Sequence, residues 1–486
     1  MSTEVFKVAA IQAAPGQIAG PVADLDGLER MTAQAARLGA RLVAWPECAY
    51  PAYFLRSAEH YRATAPGRLP FDRLLRRLGE TARRCQVHLV AGVVEEANGG
   101  RLANAAILFA PDGCELARYR KQFLWHFDND CFTAGRDVVV AQTELGRIGL
   151  MICADGRMPE LAAEAARRGA QLLVNPTAWV SWGASAEALT NPQVEYMIAA
   201  RAMETGCWIL SANKVGVEAG SIVYCGRSHL TDPAGRTVVT LGPSEPGVLI
   251  GEVDLSACRA APTGDWPPIL LSPTPSLPVS GRRAEPCDLN EAVVMAVAAG
   301  RWDAKALDGL VTDLAAQAVR LLILPASCLV PAESASLVQR AADCGIMVEF
   351  AAAPDRLAEC GPIRLAVESA DSFVPARAAM LAGCELFVAR SEPGRGARPD
   401  AAGRCPDLRL LRTRAAENRI YVAAAADEAA VVVSPTGAVL AESLTGRPMA
   451  VVVRVVVASA RDKQMAPGTD VVTGRRPELY QEWFAR

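Results

Sequence analysis

Three residues whose types can break a carbonyl–nitrogen bond stand far apart in this chain: Glu47 in LVAWPEC, Lys121 in YRKQFLW and Cys153 in RIGLMICADGRMP. A cysteine closing an apolar run is, taken alone, compatible with an inert buried thiol. The residues just after Cys153 offer a second reading. Ala154, Asp155 and Gly156 turn the chain and Pro159 opens a helix, which would project the sulfur above a sheet edge beside backbone N–H groups near a helix N-terminus. Such N–H groups can hold a thiolate or an oxyanion. A thiol attacking an unactivated amide also needs a proton acceptor and a cation for the developing oxygen charge. The only histidines are His60, His88, His126 and His229, and none stands in a recognisable Cys/His setting. Glu47, just past a strand that ends Trp-Pro, is either a solvated loop acid or that acceptor. Lys121, among apolar and aromatic residues, is either a surface lysine with its stem laid on apolar neighbours or an ammonium held at a reaction centre.

The elements that must position these residues alternate between apolar β-type and amphipathic helical segments, an α/β pattern. Residues 5–11 (VFKVAAI) predict a strand, 22–38 a helix closing near Gly39, and 41–46 (RLVAWP) a strand stopped by proline. A helix over about 71–85 leads into a strand at 87–93. RIGLMIC at 147–153 predicts a buried strand, 159–168 a helix closed by Gly169, and 171–175 (QLLVN) the next strand.

Length and composition bound the rest. With 486 residues, 51% hydrophobic and 21% charged, the chain is a globular protein of two or three domains. No stretch reaches the roughly 20 apolar residues that span a bilayer, and MSTEVFKVAAIQ does not read as a secretory signal. The 14 cysteines then predict free thiols in a reducing, cytoplasmic setting. No pair has C-x-x-C spacing, so no metal site is expected. A net charge of −3 without a basic run excludes nucleic acid as the main partner.

The chain is also written twice. Between about 261 and 290 prolines crowd together (Pro262, Pro267, Pro268, Pro273, Pro275, Pro278, Pro286), as in an extended linker, and then the pattern restarts. LDGL recurs at 25–28 and 307–310, and LVAWPEC at 42–48 is echoed by LLILPASC at 321–328. CADGRMP at 153–159 is echoed by SADSFVP at 369–375, and GAQLLVN at 169–175 by GCELFVA at 383–389. The echoes keep their order, so two copies of one domain are expected, over 1–260 and 291–486.

Taken together, Glu47, Lys121 and Cys153 resemble the nitrilase (carbon–nitrogen hydrolase) superfamily, whose pattern is a glutamate after a strand, a lysine preceded by Tyr-Arg and a cysteine on a strand-to-helix turn. Here these stand as WPE at 45–47, YRK at 119–121 and ICADGRMPE at 152–160, supported by IQAAP at 11–15, FTAG at 132–135, RAMETG at 201–206, SANKVG at 211–216 and GRSHLTDPAG at 226–235. The resemblance covers about residues 5–256. It implies a four-layer αββα sandwich, here as two tandem domains, and needs no metal or organic cofactor. It also implies roles: Cys153 forms the acyl-enzyme, Glu47 carries protons, and Lys121 holds the oxyanion with the Ala154 N–H. Many members place a second glutamate four residues before the phenylalanine of the FTAG-like segment. That position is Asp128 here, one methylene shorter, with Asp130 and His126 nearby.

Members that hydrolyse nitriles usually have Trp-Glu directly after the cysteine, whereas this chain has Ala-Asp. The resemblance therefore favours a small-molecule amide or N-carbamoyl substrate, with nitrile hydrolysis and acyl transfer as alternatives. Arg157 is a candidate for a substrate carboxylate or for pairing with Glu160. Tyr53, Trp125 and Trp179 are candidate pocket walls or plain core. In the second copy Ala326 stands where Glu47 does and Ser369 where Cys153 does, and the lysine-bearing stretch has no counterpart. That half is expected to be catalytically dead, either a scaffold or a stand-in for a partner subunit in an internal pseudo-dimer that further copies could join. ARDKQM at 460–465 and RRPELY at 475–480 resemble the tail of single-copy members, which reaches across a subunit interface.

Overall fold

The computed structural model describes residues 5–18, 21–97, 100–181, 185, 187–260, 266–272, 292–328, 331–351, 356–390, 407–445 and 447–484. The chain divides into two compact units, Met1–Gly264 with Ala466–Thr469, and Asp265–Met465 with Asp470–Arg486.

In the first unit, β1 (Val5–Gln12) is followed by helix α1 (Val22–Arg37), β2 (Ala40–Ala44), α2 (Ala58–Ala63), α3 (Phe71–Cys85), β3 (His88–Ala97), β4 (Arg101–Phe109) and β5 (Glu115–Arg120). One turn of helix, α4 (Asp128–Cys131), precedes β6 (Val140–Thr143), β7 (Gly146–Leu150), α5 (Pro159–Arg167), β8 (Leu172–Pro176), α6 (Ile198–Thr205) and β9 (Trp208–Ala212). The hairpin β10 (Val215–Glu218) and β11 (Ile222–Cys225), then β12 (His229–Thr231), β13 (Thr237–Thr240) and β14 (Gly247–Asp254), complete it. Two six-stranded mixed sheets result, in the orders β14-β1-β2-β3-β4-β5 and β13-β12-β9-β8-β7-β6. At the centre of each lie three parallel strands, β1–β2–β3 and β7–β8–β9. Parallel strands with helical crossovers are apolar on both faces, as LVA in β2 and LLV in β8 are. Helix α1 buries Leu25, Leu28, Thr32 and Ala35 at helical spacing. Helix α3 buries Leu74, Leu78 and Ala82, and both stripes join the core formed with Ala9, Val43, Leu89 and Ile107 of the first sheet.

The helix expected over 71–85 has those bounds, and the helix over 22–38 ends one residue earlier at Arg37, with Gly39 following at φ 90°. The strand expected over 147–153 stops at Leu150. The physical reason lies in Asn175. The Met151 N–H still reaches the Val174 carbonyl, but the Cys153 N–H is taken by the Asn175 side chain at 2.7 Å, and the ladder ends there. After β2 the chain keeps to β3: the Trp45 N–H donates to the Val90 carbonyl and the Ala49 N–H to Gly92, 2.8 Å in each case. Gly92 is required at that crossing, since a Cβ there would lie 2.1 Å from the Pro46 carbonyl oxygen.

The second unit carries β15 (Ala292–Ala299), β16 (Leu321–Leu324), β17 (Met347–Phe350), β18 (Arg356–Cys360), β19 (Ile363–Glu368), β20 (Leu386–Ala389), β21 (Tyr421–Ala425), β22 (Ala430–Val433), β23 (Val439–Ser443) and β24 (Met449–Val456). Its sheets run β17-β16-β15-β24 and β18-β19-β20-β21-β22-β23. Strand for strand, β24-β15-β16-β17 has the senses of β14-β1-β2-β3, and β18 to β23 have those of β6-β7-β8-β9-β12-β13. Among the described residues no strands stand where β4 and β5 extend the first unit's sheet. Most of the proline-rich stretch, 261–265 and 273–291, lies outside the described residues. The part between is not extended: Pro268–Leu271 form a short helix that buries Leu270, and Trp266 meets Phe373 and Tyr480 edge-on, each at 5.6 Å. Its apolar side chains have a core to enter, which proline spacing alone does not reveal. Among the described residues no helix is long and apolar enough to cross a membrane.

Candidate active site

The carboxyl ends of the two parallel triplets are where open α/β sheets place their ligands, and the three chemistry-bearing residues of the first unit emerge there or beside it. Cys153 begins a single 3-10 turn, Cys153–Arg157, between β7 and α5, and its own φ is 49°. A non-glycine residue in this left-handed region is held by its surroundings. The Asn175 side chain takes its N–H. In the amide orientation that satisfies both neighbours, the Gln193 Nε2 donates to its carbonyl at 2.7 Å while the Gln193 Oε1 accepts from the Trp179 indole at 2.9 Å. Gln193 opens a π-helical turn, Gln193–Met197, leading into α6.

Asp155 ties this turn to the lysine. One of its oxygens accepts from the Phe123 and Gln122 N–H groups at 2.8 and 3.2 Å, the other from the Tyr119 hydroxyl at 2.7 Å and the Ile152 N–H at 3.0 Å. The carboxylate is fully buried, and that burial, against the pull of those donors, raises its pKa to about 6. Lys121 follows β5 directly. Its N–H donates to the Asn104 carbonyl at 2.9 Å, and its own carbonyl accepts from the Gly135 N–H at 2.8 Å. The glycine of FTAG thus packs on the lysine strand, where a Cβ would lie 2.2 Å from the Arg120 carbonyl oxygen.

The Lys121 ammonium joins two carboxylates, at 2.7 Å from Glu47 Oε1 and 2.6 Å from Asp128 Oδ2, and all three side chains have no solvent exposure. Of the acids near α4, Asp128 is therefore the one bonded to the lysine. It is held for this by the Trp125 N–H at 3.0 Å. The Asn104 Nδ2 adds a 2.6 Å bond to Glu47 Oε1, while Glu47 Oε2 is buried without a partner. Burial opposes the Lys121 charge, but Asp128 and Glu47 overcome it and hold the ammonium well above the usual lysine range. Burial pushes the Cys153 thiol well up, the Glu47 charge adds to this, and Lys121 offsets it in part.

The expected pocket residues fall into two groups. Tyr53 is buried with its ring 5.6 Å from the Lys121 ammonium and 5.1 Å from the Phe127 ring. The Arg157 guanidinium lies over the Trp125 ring at 4.5 Å. Trp179 instead stacks on His229 at 5.6 Å, with its backbone N–H on the Asn213 side-chain oxygen. Ala154 is buried directly after the sulfur. Asn104, Asn175, Gln193 and the bonding role of Asp155 were not legible. Each acts on at least one partner far away in sequence, which leaves no periodic trace. Neither was Thr469, whose hydroxyl accepts from the N–H of His126, itself at φ 49°.

In the second unit, pairing of Val367 with Val388 matches that of Leu150 with Val174. Counting three residues on from Val367 reaches Ala370, beside the half-buried Ser369, so neither position carries a thiol.

The mixed α/β fold, the buried cysteine turn and the carboxylate–ammonium–carboxylate trio accompany membership of a hydrolase family. The chain belongs to the carbon–nitrogen hydrolase family, within the nitrilase superfamily: the family model matches residues 7–263. It is similar to the Omega-amidase NIT2 of Danio rerio, 29% identical over 260 residues covering 51% of this chain and 88% of that protein. The Omega-amidase NIT2 of Homo sapiens is 30% identical over 232 residues, covering 46% and 79%. A solved amidase from Nesterenkonia sp. is 28% identical over 54% of this chain and 95% of its own, with a TM-score of 0.45.

Proposed function

We propose that the first unit hydrolyses a linear amide or N-carbamoyl carbon–nitrogen bond through a cysteinyl acyl-enzyme, on one half of a duplicated αββα scaffold. The observation that carries this reading is the fully buried Glu47–Lys121–Asp128 trio beside the buried Cys153. A thiol must lose its proton to attack, which requires a base. Glu47 Oε1 is occupied by Lys121 and Asn104, so Oε2 is the oxygen left to take the proton. An ammonium has three N–H bonds. Two go to the carboxylates, and the third is left for the oxyanion, with the Ala154 N–H as second donor.

Sγ adds to the carbonyl carbon as its proton passes to Glu47. The tetrahedral adduct then collapses, the C–N bond breaks, and Glu47 returns that proton to the departing nitrogen. Water, deprotonated by Glu47, adds to the thioester. The second adduct releases the acid, and the proton held on Glu47 goes back to the sulfur. Asp128 positions Lys121, while Tyr53, Trp125 and Arg157 line the approach.

The second unit is read as a non-catalytic copy. Its strand order and senses support duplication. Alanine stands in the Glu47 place, no thiol follows β19, and the strand that delivers Lys121 has no described counterpart. Ammonia release from a panel of short amides, N-carbamoyl amino acids and nitriles, with and without an added amine acceptor, tests the assignment. Turnover of amides or carbamoyl compounds by the wild type and none by Cys153→Ala is expected. Undiminished turnover by Cys153→Ala would end it.

A further inference from the structure

A second buried lysine–carboxylate pair stands behind the first, and nothing in the reaction above uses it. Lys214 and Glu218, at the two ends of a short run through β10, are 1% and 5% exposed, and their charged groups are 3.3 Å apart. A buried pair of this kind is weak evidence of stability for its own sake. What the pair holds is informative. The Lys214 ammonium donates to the Cys48 carbonyl at 3.2 Å, and Cys48 is the residue directly after Glu47, at a φ of 40°. Glu218 Oε1 accepts from two successive backbone N–H groups, Tyr53 at 2.9 Å and Phe54 at 2.7 Å. Its Oε2 accepts from the Tyr224 hydroxyl at 2.6 Å.

The stretch from Glu47 to Phe54 is therefore pinned at both ends by one ion pair. Its lysine end holds the peptide unit after the base. Its glutamate end holds Tyr53, whose ring is near two ammonium groups, 5.6 Å from Lys121 and 5.7 Å from Lys214. Backbone bonds also hold this segment, Glu47 N–H to the Thr177 carbonyl and Ala49 N–H to Gly92, but they leave the Cys48 carbonyl and the Tyr53 and Phe54 N–H groups to the ion pair. An ångström of displacement at a reacting group costs about 100-fold in rate.

We propose that Lys214 and Glu218 are positioning residues for the reaction, Lys214 setting Glu47 against Cys153 and Glu218 setting the Tyr53–Phe54 wall of the substrate pocket. This rests on the amide-hydrolase reading above, and its two ends have separable signatures. Lys214→Met frees the peptide behind the base and is expected to lower kcat by at least about tenfold with little change in KM. Glu218→Ala frees the wall and is expected to raise KM. Glu218→Gln, which keeps an oxygen for the two N–H groups, restores KM towards wild type, a rescue that a merely structural role does not produce.

The pH dependence of Cys153 alkylation by iodoacetamide, followed on the whole chain by peptide mass spectrometry, reads the Glu47–Cys153 geometry without any amide turnover. Lys214→Met is expected to shift that profile. Should Lys214→Met not fold, Tyr224→Phe removes one donor from Glu218 and is read by the same KM measurement and alkylation profile. A shift of either supports the pair as a positioning device. Folded Lys214→Met, or in its place Tyr224→Phe, with wild-type kcat, KM and alkylation profile would overturn it. A wild type that turns over no amide would instead overturn the hydrolase reading and leave the alkylation result to decide this one.

Discussion

Replacing Lys121 by methionine tests the trio without large change of volume. In the wild type one ammonium at 2.7 and 2.6 Å is shared by two carboxylates that have no solvent exposure. Removing it leaves Glu47 and Asp128 buried and unmatched. Breaking a buried pair from one side costs about 3–5 kcal/mol, and two carboxylates share the loss here, so the upper part of that range is expected at about pH 8. For a unit of this size each kcal/mol moves Tm by about 2–4 °C, so a loss of about 4–5 kcal/mol makes the expected drop roughly 8–20 °C. The sign with pH comes from charge: protonating a buried carboxylate removes its unmatched charge, so the deficit shrinks as pH falls. Thermal scans of wild type and Lys121→Met at about pH 8 and about pH 5 measure both quantities. The variant Glu47→Gln, Lys121→Met, Asp128→Asn, neutral throughout, is expected to regain most of the stability and none of the activity. Activity of Lys121→Met is expected to fall by about 100- to 1000-fold, the usual cost of one oxyanion donor. A Lys121→Met protein within about 1 kcal/mol of wild type at both pH values would refute the reasoning.

The same geometry gives three further outcomes. Asp155 has a folded pKa raised to about 6, above its ordinary value near 3.8, so its protonated form is favoured by folding. Its contribution to stability is full below that ordinary value and is lost as pH rises to about 6; the stability difference between wild type and Asp155→Asn should therefore change across that window and be flat above it. Asn104→Leu removes the 2.6 Å donor to Glu47 Oε1, and a loss of about tenfold in kcat with the fold intact is expected, measured as ammonia release. Gly92→Ala would force a Cβ to 2.1 Å from the Pro46 carbonyl oxygen, and a destabilisation above about 2 kcal/mol is expected in denaturant melts.

The elements that alternate cleanly in the sequence are those found in the structure. Helix Phe71–Cys85 and the start of α5 at Pro159 come from apolar spacing and proline placement. Glu47, Lys121 and Cys153 were legible because each stands after a recognisable strand or inside a distinctive motif. Strands β4 and β5, which place Asn104 and Lys121, were not read from the sequence although Asn98-Gly99-Gly100 and Pro111-Asp112-Gly113, both turn signals, bound them. The support of the site was hidden for a different reason. Asn175, Gln193, Asp155 and Glu218 each satisfy backbone groups 22 to 165 residues away, in pairings that only the folded sheets create. A side chain that serves as another segment's hydrogen-bond partner has no preferred spacing in its own.

The most direct measurement is the intact mass of the full chain, taken after a brief incubation with a simple amide and an acid quench, with peptide mapping of any adduct. The expected result is one acyl group per chain, located on Cys153 and absent from Cys153→Ala. An adduct elsewhere in the chain, two acyl groups per chain, or turnover with no acyl-enzyme at Cys153 would contradict the account.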